Sequence, residues 1–174
     1  PPRPAGFDYD GLNAEVLLSR ISVQDGRLVL PDGMSYRYLV LPHRADGVMS
    51  PAVLGKVREL AQAGATVIGP PPGRAPGLTG FPGGDDEVKT LAAQLWGEAP
   101  AAEGSRSCGP GRTVWGRGLD AVVRADELAH LFQRQRLAAA AGEIDRLGRE
   151  RAPRRPLQGL RPPPRGGQSP NGRA

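Results

Sequence analysis

The alternation of apolar and polar positions is clearest between Ser35 and Gly69. Tyr36 to Leu41 is a short apolar run that ends at a proline, and it predicts a buried strand. Ser50-Pro51 predicts a helix start, because a hydroxyl can cap free N–H groups and proline suits the first helical position. A second β-prone run spans Ala65 to Ile68. Strand, helix and strand with short joints predict a βαβ crossover and a parallel strand pair.

The chain before this unit predicts a helix followed by a small β hairpin. Leu12 to Ile21 carries apolar residues at helical spacing, and Asp10 is the candidate N-cap. Val23 to Leu30 contains Asp25-Gly26 between β-prone flanks, which indicates a tight hairpin turn. A second turn signal, Pro31 to Gly33, leads to the central strand. We therefore expect a small β excursion ahead of the parallel sheet.

The chain after the unit predicts a helix, a third strand and a further helix. Asp85-Asp86-Glu87 places acids at the start of a helix that ends at Trp96, where they favour the positive end of the helix dipole. Gly111 to Gly116 predicts the third strand, whereas Gly97 to Gly109 is small and polar and indicates a loop. The last helix is predicted over Leu119 to Phe132, with Ala121, Val122, Leu128 and Leu131 facing inward.

The net positive charge of the chain comes from its C-terminal part. The 174 residues carry a formal net charge of +5, but residues 130–174 hold ten arginines against three acids, so residues 1–129 carry −2. We expect no nucleic-acid partner for the folded part, because such a surface needs basic residues gathered on one face. We expect no membrane partner either, since no apolar run approaches the roughly 20 residues that span a bilayer. The one cysteine, Cys108, allows no intrachain disulfide.

Residues 133–174 form a low-complexity basic tail. Leu137 to Leu147 contains an alanine run and is compatible with a helix. From Glu150 onward arginine, proline and glycine dominate, and the larger apolar residues are Leu157 and Leu160. We expect disorder there, because such a composition buries too little apolar surface to offset the entropy of ordering the chain.

A cysteine and two histidines invite a nucleophile hypothesis. Cys108 could pair with His43 or His130, as a thiol activated by a base. The motif SCGPGR, however, places Cys108 before a strand, and the pattern shows no strand leading into it and no strand-to-helix elbow. The sequence therefore favours an ordinary loop thiol over a catalytic one. His43 follows the central strand and could line a cleft, but a single histidine does not make a metal site.

Other residues with chemical potential are better explained by structure. Asp8 and Asp10 lack nearby partners for metal binding or acid–base chemistry, which favours a local turn and a helix cap. The loop Gly69 to Gly84 has the glycines but not the lysine and hydroxyl of a phosphate-binding loop, and its prolines remove N–H donors. Trp96 and Trp115 are expected to pack in the core rather than to stack on sugars.

Two motifs in order, LPDGMSYR (residues 30–37) and GATVIGPPP (64–72), make a more specific signal as a pair, and GRTVWG (111–116) follows them. Together they resemble the α-L-rhamnosidase-like glycoside hydrolases of family 106, over about Gly6 to Val123 and ending by Gln133. The resemblance implies the α/β domain that follows a (β/α)₈ catalytic barrel, with an amidotransferase- or flavodoxin-like layout. It also implies a parent enzyme that hydrolyses terminal α-L-rhamnosides with inversion, through a carboxylate acid and a carboxylate base, with calcium assisting.

None of the family's catalytic motif matches a position here, so the resemblance assigns no catalytic, cofactor-binding or metal residue to this chain. The start in Pro1-Pro2-Arg3-Pro4 and the absence of a first sheet strand before Asp8 indicate a fragment of a longer protein. The abrupt change of composition near residue 133 raises a further hypothesis, a shifted reading frame. Coding DNA in which no neighbouring frame resumes family-like sequence would refute it.

We therefore predict an α/β fold, a small parallel sheet of about three strands flanked by helices, with a disordered C-terminal tail. The predicted organisation is a linker (residues 1–7), an accessory domain (8–132) and the tail (133–174). The predicted core consists of Tyr38, Leu39, Val40, Leu41, Val53, Leu54, Val57, Leu60, Val67, Ile68, Leu91, Leu95, Val114 and Trp115.

Three functions stay open at this point. The first is the accessory domain of a rhamnosidase-like hydrolase, inactive alone, whose partners are the parent's catalytic barrel and, through it, a carbohydrate. The second is a free-standing binding module for a sugar or nucleotide, with the loop Gly69 to Gly84 as its site. The third is an enzyme that acts through Cys108. A missing edge strand also predicts marginal stability or self-association of the chain alone.

Overall fold

The computed structural model describes residues 6–43, 47–77 and 80–151, with residues 138–151 described by their backbone alone. The chain divides into two compact units, Pro1–Ala129 and His130–Ala174. No helix of the described part is long and apolar enough to cross a membrane. The helices are α1 (Ala14–Arg20), α2 (Pro51–Gln62), α3 (Gly84–Trp96) and α4 (Leu119–Arg151). The strands are β1 (Ser22–Gln24), β2 (Arg27–Val29), β3 (Ser35–Tyr36), β4 (Tyr38–Val40), β5 (Thr66–Ile68), β6 (Gly104–Cys108) and β7 (Gly111–Trp115).

Strands β1, β2 and β3 form an antiparallel sheet ahead of the parallel core. The β1–β2 turn is Asp25-Gly26, with φ angles of 50° and 73°, the left-handed pair that a type I′ hairpin requires. After the second turn the Leu30 N–H donates to the Met34 carbonyl at 2.9 Å, which brings β3 against β2. The predicted hairpin and the predicted second turn are both confirmed.

The second sheet has four strands in the order β4-β5-β7-β6. Strands β4, β5 and β7 are parallel, with Leu39, Val67 and Thr113 in register, so the three predicted strands and the βαβ unit are confirmed. One residue, Arg37, separates β3 from β4. The single strand predicted over Tyr36 to Leu41 is therefore shared between the two sheets.

The second sheet differs from the prediction at its β6 edge. Strand β6 runs antiparallel to β7, from Gly104 opposite Trp115 to Cys108 opposite Gly111, where we predicted a loop. Its sequence, GSRSC, has no apolar alternation, and cross-strand hydrogen bonding to β7 overrides that weak local preference. The sheet is thus mixed rather than parallel. Because β4, β5 and β7 follow one another in chain order without a reversal, a flavodoxin-like or amidotransferase-like layout is not confirmed.

Helices α2 and α3 cover one face of the mixed sheet. As predicted, Ser50 caps α2, since its side chain accepts a hydrogen bond from the Val53 N–H at 3.4 Å, and Pro51 begins the helix. Helix α3 has its three acids in the first turn and ends before Gly97, whose φ of 92° suits a residue without a side chain. The core between these helices and the sheet includes Leu39, Leu54, Val57, Leu60, Ala61, Val67, Val88, Leu91, Leu95 and Trp96.

The opposite face of the mixed sheet packs against the first turns of α4. Ile68 and Val114 on neighbouring strands form a second apolar cluster with Val122 of α4. This second layer is small, and four residues that we predicted to be buried are instead exposed. They are Val40, Ala121, Leu128 and Leu131. Val40 is in register with Ile68 and so lies on this thinly covered face. Among the side chains of α4 that are described, residues 119–137, the buried ones are Val122 and Val123 of its first turns.

Helix α1 is shorter than predicted, and its cap is a different residue. The Asn13 side chain accepts a hydrogen bond from the Val16 N–H at 2.9 Å, so the assignment of the cap to Asp10 is wrong. The helix suggested for Leu137 to Leu147 is present as the continuation of α4. The disorder predicted from Glu150 onward falls almost wholly on residues 152–174, which lie outside the described residues, as does most of the predicted N-terminal linker.

Candidate functional site

The carboxyl ends of β4, β5 and β7 form the edge where open α/β sheets usually bind ligands. The chain leaves this edge through exposed His43 after β4 and through the proline-rich loop after β5. This loop, Gly69 to Gly84, was the candidate binding site in the sequence, and residues 78–79 within it are not described. Its geometry therefore decides whether the edge offers groups that could bind an anion or a sugar.

Hydrogen bonds fasten the beginning of this loop to the body of the domain. The Trp96 indole N–H donates to the Gly69 carbonyl at 3.0 Å, which ties the end of β5 to the end of α3. The Gly73 N–H donates to the Gly47 carbonyl at 2.8 Å, which ties the loop to the segment that follows β4. These donors and acceptors stabilise the fold and are not offered to a ligand.

A further donor in the loop, the Ala75 N–H, is engaged by an acid. The Ala75 N–H donates to the Asp85 carboxylate at 2.8 Å, at the start of α3. A phosphate-binding loop needs free N–H groups and a positive field, whereas this one presents a carboxylate and three prolines, Pro70 to Pro72, without N–H groups. The described part of the loop is arranged to support itself, and this argues against phosphate binding.

Cys108 ends β6 and begins the tight turn into β7. The prediction that no strand leads into it is wrong. The strand nevertheless turns back into another strand, so the strand-to-helix elbow of a cysteine nucleophile is absent at this position. The thiol is buried, its Sγ lies 3.7 Å from the Leu95 carbonyl, and burial raises the pKa of Cys108 above its ordinary value. A buried, protonated thiol is a structural residue rather than a nucleophile.

The structure does not bring His43 to Cys108. His43 follows the carboxyl end of β4, at one edge of the mixed sheet. Cys108 is paired with Gly111 at the start of β7, and Gly111 lies next to the backbone of Ala65, which precedes β5. Cys108 therefore lies at the amino ends of these parallel strands, whereas His43 lies at their carboxyl ends. His130 belongs to the second unit of the chain. The proposed pairing of a thiol with a base is therefore unsupported.

The two tryptophans have structural roles, as the sequence favoured, and Asp10 has a structural role other than the predicted cap. Trp96 and Trp115 are buried, and the Trp115 indole donates to the Ala101 carbonyl at 2.8 Å. Asp10 accepts a hydrogen bond from the Tyr36 hydroxyl at 2.8 Å. Packing in the core, rather than stacking on a sugar, is confirmed for both tryptophans.

Acidic residues of the described part do not gather into a metal site. No group of three or more His, Cys, Asp or Glu side chains there could hold a metal ion. Calcium takes six to eight oxygen ligands. The described acidic side chains therefore do not supply the carboxylate cluster that would hold the calcium implied by the resemblance for the parent enzyme.

A polar cluster between the sheet and α4 was missed by sequence reasoning. The Asp126 carboxylate accepts hydrogen bonds from the Tyr38 hydroxyl, at 3.0 Å, and from the Arg112 guanidinium. Burial, and then the hydrogen bond to Asp126 and its charge, raise the pKa of Tyr38 to about 12. The partners lie far apart in the chain, and no local spacing signals them. The cluster fastens α4 to the sheet and leaves no reactive group free.

The family of the chain follows from comparison with known sequences. The model of an α-L-rhamnosidase family, glycoside hydrolase 106, matches residues 1–149. The chain belongs to this family. The match continues past Gln133, where we expected the resemblance to end, and therefore includes most of α4.

Relatives of this rhamnosidase-family chain are far longer than the chain itself. A protein of Formosa agariphila named putative beta-glucuronidase is 37% identical over 98 residues, which are 56% of this chain and 8% of that protein. The solved structure of the rhamnosidase from Novosphingobium sp. PP1Y superimposes with a TM-score of 0.59 and 29% identity, over 68% of this chain and 11% of that one. The chain thus corresponds to about a tenth of the length of these glycosidase-like proteins.

Proposed function

We propose that the chain is a non-catalytic α/β domain of a longer α-L-rhamnosidase-like glycoside hydrolase. The observation that carries the proposal is the family match over residues 1–149 in a chain that covers 8% and 11% of two relatives. A segment of that share is the size of one accessory domain and too small to include a (β/α)₈ barrel, which takes roughly 250 residues. The catalytic barrel of the same polypeptide is the proposed partner.

The absence of a catalytic role for this domain is supported by how its polar groups are used. Glycoside hydrolysis requires two carboxyl groups on either side of the scissile bond, about 6.5–9.5 Å apart in an inverting enzyme. Here Asp126 holds α4, Asp85 holds the loop after β5, and Asp10 binds Tyr36. Carboxylates that are committed to the fold in this way are poor candidates for an acid–base pair.

The proposed substrate of the whole enzyme is a terminal α-L-rhamnoside. The family description and the solved structure both name a rhamnosidase, whereas the Formosa agariphila protein is named putative beta-glucuronidase. Both names describe the hydrolysis of a glycoside, and two of the three favour rhamnose. The assay that tests the proposal should therefore include a rhamnoside and a glucuronide.

The free-standing binding module is the weaker alternative. Its candidate site was the loop Gly69 to Gly84, and three backbone groups of that loop, at Gly69, Gly73 and Ala75, are hydrogen-bonded to other groups of the domain. Titration of the 174-residue chain with L-rhamnose and with ATP tests it, and we expect no saturable binding of either.

The first experiment is to read the genomic DNA on both sides of the coding segment. We expect a barrel with a carboxylate pair upstream, in the same gene. The longer polypeptide is then expected to hydrolyse an aryl α-L-rhamnoside, and the 174-residue chain alone is expected to hydrolyse neither the rhamnoside nor an aryl β-glucuronide. Hydrolysis by the chain alone would overturn the non-catalytic assignment. A gene that encodes only this chain would overturn the accessory-domain assignment.

A further inference from the structure

The chain exposes several large apolar side chains around one hydrogen bond near its N-terminus. Tyr9, Leu12 and Met34 are 73%, 44% and 48% exposed. The Tyr36 hydroxyl joins the two segments that carry them, because it donates to the carboxylate of Asp10, which lies between Tyr9 and Leu12 in the chain, at 2.8 Å and lies 3.9 Å from the Met34 sulfur. We call Tyr9, Asp10, Leu12, Met34 and Tyr36 the Tyr36 surface. Neighbouring apolar side chains that remain exposed on a folded domain commonly mark an interface.

The surroundings of this surface are acidic. Asp8 and Asp10 lie on the N-terminal segment, and Asp32 lies in the turn before β3, where its carboxylate accepts a hydrogen bond from the Met34 N–H at 3.4 Å. The hydrogen bond to Asp10, burial and the charges of Asp10 and Asp32 all raise the pKa of Tyr36. Both carboxylates are therefore near the phenol.

The negative charge around the Tyr36 surface indicates which kind of partner could bind there. Two bases near Tyr36 are engaged elsewhere. Arg27 is bound to Ser35, which neighbours Tyr36 on β3 and so points to the other side of that sheet. The Arg37 guanidinium lies over the Tyr38 ring, 5.5 Å from its centroid. Two copies of the Tyr36 surface would bring like charges together, which disfavours a symmetric dimer. A partner with an apolar centre and basic side chains around it is complementary.

We propose that the Tyr36 surface docks on another domain of the same polypeptide, at an apolar patch bordered by lysine or arginine side chains. The inference rests on the proposed function, since it requires the rest of the hydrolase as the partner. Continuity of the chain favours an occupant in the same polypeptide over a separate protein, because a tethered partner is present at high effective concentration. In this proposal the contact with the other domain is made by the N-terminal side of this domain and not by the loop Gly69 to Gly84.

Oxidation of Met34 by hydrogen peroxide, followed by mass spectrometry, tests this docking directly. The thioether of Met34 is exposed in the isolated chain, whereas Met49 is partly buried against the core and serves as an internal reference. We expect Met34 to be oxidised at least about tenfold more slowly, relative to Met49, in the longer hydrolase than in the 174-residue chain, because burial limits oxidation. Raising the salt concentration should reduce this protection.

A pair of matched substitutions in the longer hydrolase distinguishes loss of docking from a general destabilisation of this domain. Leu12→Ser alters the Tyr36 surface, and Leu18→Ser alters an equally exposed leucine, 42% against 44%, on α1. We expect Leu12→Ser to restore Met34 oxidation and Leu18→Ser to leave it slow. Equal Met34 oxidation in the longer hydrolase and in the isolated chain would overturn the docking proposal while leaving the accessory-domain proposal intact. A gene without a hydrolase partner would overturn both.

Discussion

The Tyr38 hydroxyl on β4 donates to the Asp126 carboxylate on α4 at 3.0 Å, across 88 residues of chain. Arg112 on β7 donates to both oxygens of the same carboxylate. The strand register places Tyr38, Thr66 and Arg112 side by side, on the sheet face opposite α2 and α3. One carboxylate therefore connects two strands and a helix, and it stabilises the face whose apolar cluster is small.

Asp126→Asn is expected to lower the free energy of unfolding by about 1–2 kcal/mol. A hydrogen bond to a charged group contributes roughly 1.5–3 kcal/mol, and partial exposure of Arg112 reduces that value. Urea denaturation, monitored by circular dichroism, measures this change in the free energy of unfolding. Glu127→Gln is the control, because Glu127 is the adjacent acid on α4 and is exposed. Equal denaturation midpoints for the two variants would show that the cluster does not stabilise the domain.

The same cluster should make the free energy of unfolding depend on pH, through the titration of the Tyr38 hydroxyl. Burial, followed by the hydrogen bond to Asp126, raises the folded-state pKa of Tyr38 to about 12, above the ordinary value of 10.0. A group whose pKa is raised by folding stabilises the fold below its unfolded pKa and loses that contribution as the pH rises through its folded pKa. We therefore expect a loss of stability between about pH 10 and pH 12.

Tyr38→Phe isolates the contribution of this one hydroxyl to the pH dependence of stability. The variant lacks the hydroxyl, so its stability should fall less steeply between pH 10 and pH 12 than that of the wild-type chain. Thermal unfolding at pH 9, 10, 11 and 12 gives the comparison. Parallel curves for the two proteins would mean that Tyr38 titrates alike in the folded and unfolded chain.

The central βαβ unit could be predicted from the sequence because each of its parts has a local signal. Ser50-Pro51 starts a helix by capping, and Ala65 to Ile68 is a β-prone run. The hairpin ahead of the unit has a local signal too, because Asp25-Gly26 adopts the left-handed turn that only a few residue types allow. These signals lie within a few residues of the structure that they determine. The absence of an elbow at Cys108 was also correctly predicted, although one of its grounds, that no strand leads into Cys108, was wrong.

Features that depend on distant residues could not be predicted in this way. Strand β6 pairs with β7 although GSRSC has no apolar alternation, and it was expected to be a loop. The apolar spacing of α4 predicted inward positions at Leu128, which is exposed, since spacing identifies a face but not the layer that covers it. Asp126 was missed because its partners lie on strands that are remote in sequence.

Cys108 is expected to react slowly with thiol reagents in the folded chain. Burial raises its pKa, so less thiolate is present near neutral pH, and the side chain is shielded. Absorbance after addition of Ellman's reagent at pH 8 should show a rate at least about tenfold lower in buffer than in 6 M urea. Rapid modification of the folded chain would contradict the buried position of Cys108 and would make it a candidate nucleophile again.

Gly111 lies where the backbone of β7 passes closest to the end of α2, and Gly111→Ala is expected to destabilise the domain strongly. A Cβ at this position would lie 2.2 Å from the Ala61 carbonyl oxygen and 2.4 Å from that of Ala65. Both are backbone atoms and cannot move aside as a flexible side chain would, so we expect a loss of about 3 kcal/mol or more. Guanidinium denaturation measures it, and insoluble expression would agree with it.

Gly55→Ala, within α2, is the matched control and should have the opposite sign. A Cβ at Gly55 would meet no atom within 4 Å, and alanine favours a helix over glycine by about 0.5–1 kcal/mol. The same substitution is therefore expected to stabilise the domain at position 55 and to disrupt it at position 111. If both variants unfolded at the wild-type denaturant concentration, α2 would not approach the start of β7 as closely as the structure shows. The pairing of β5 with β7 beside α2 would then need to be revised.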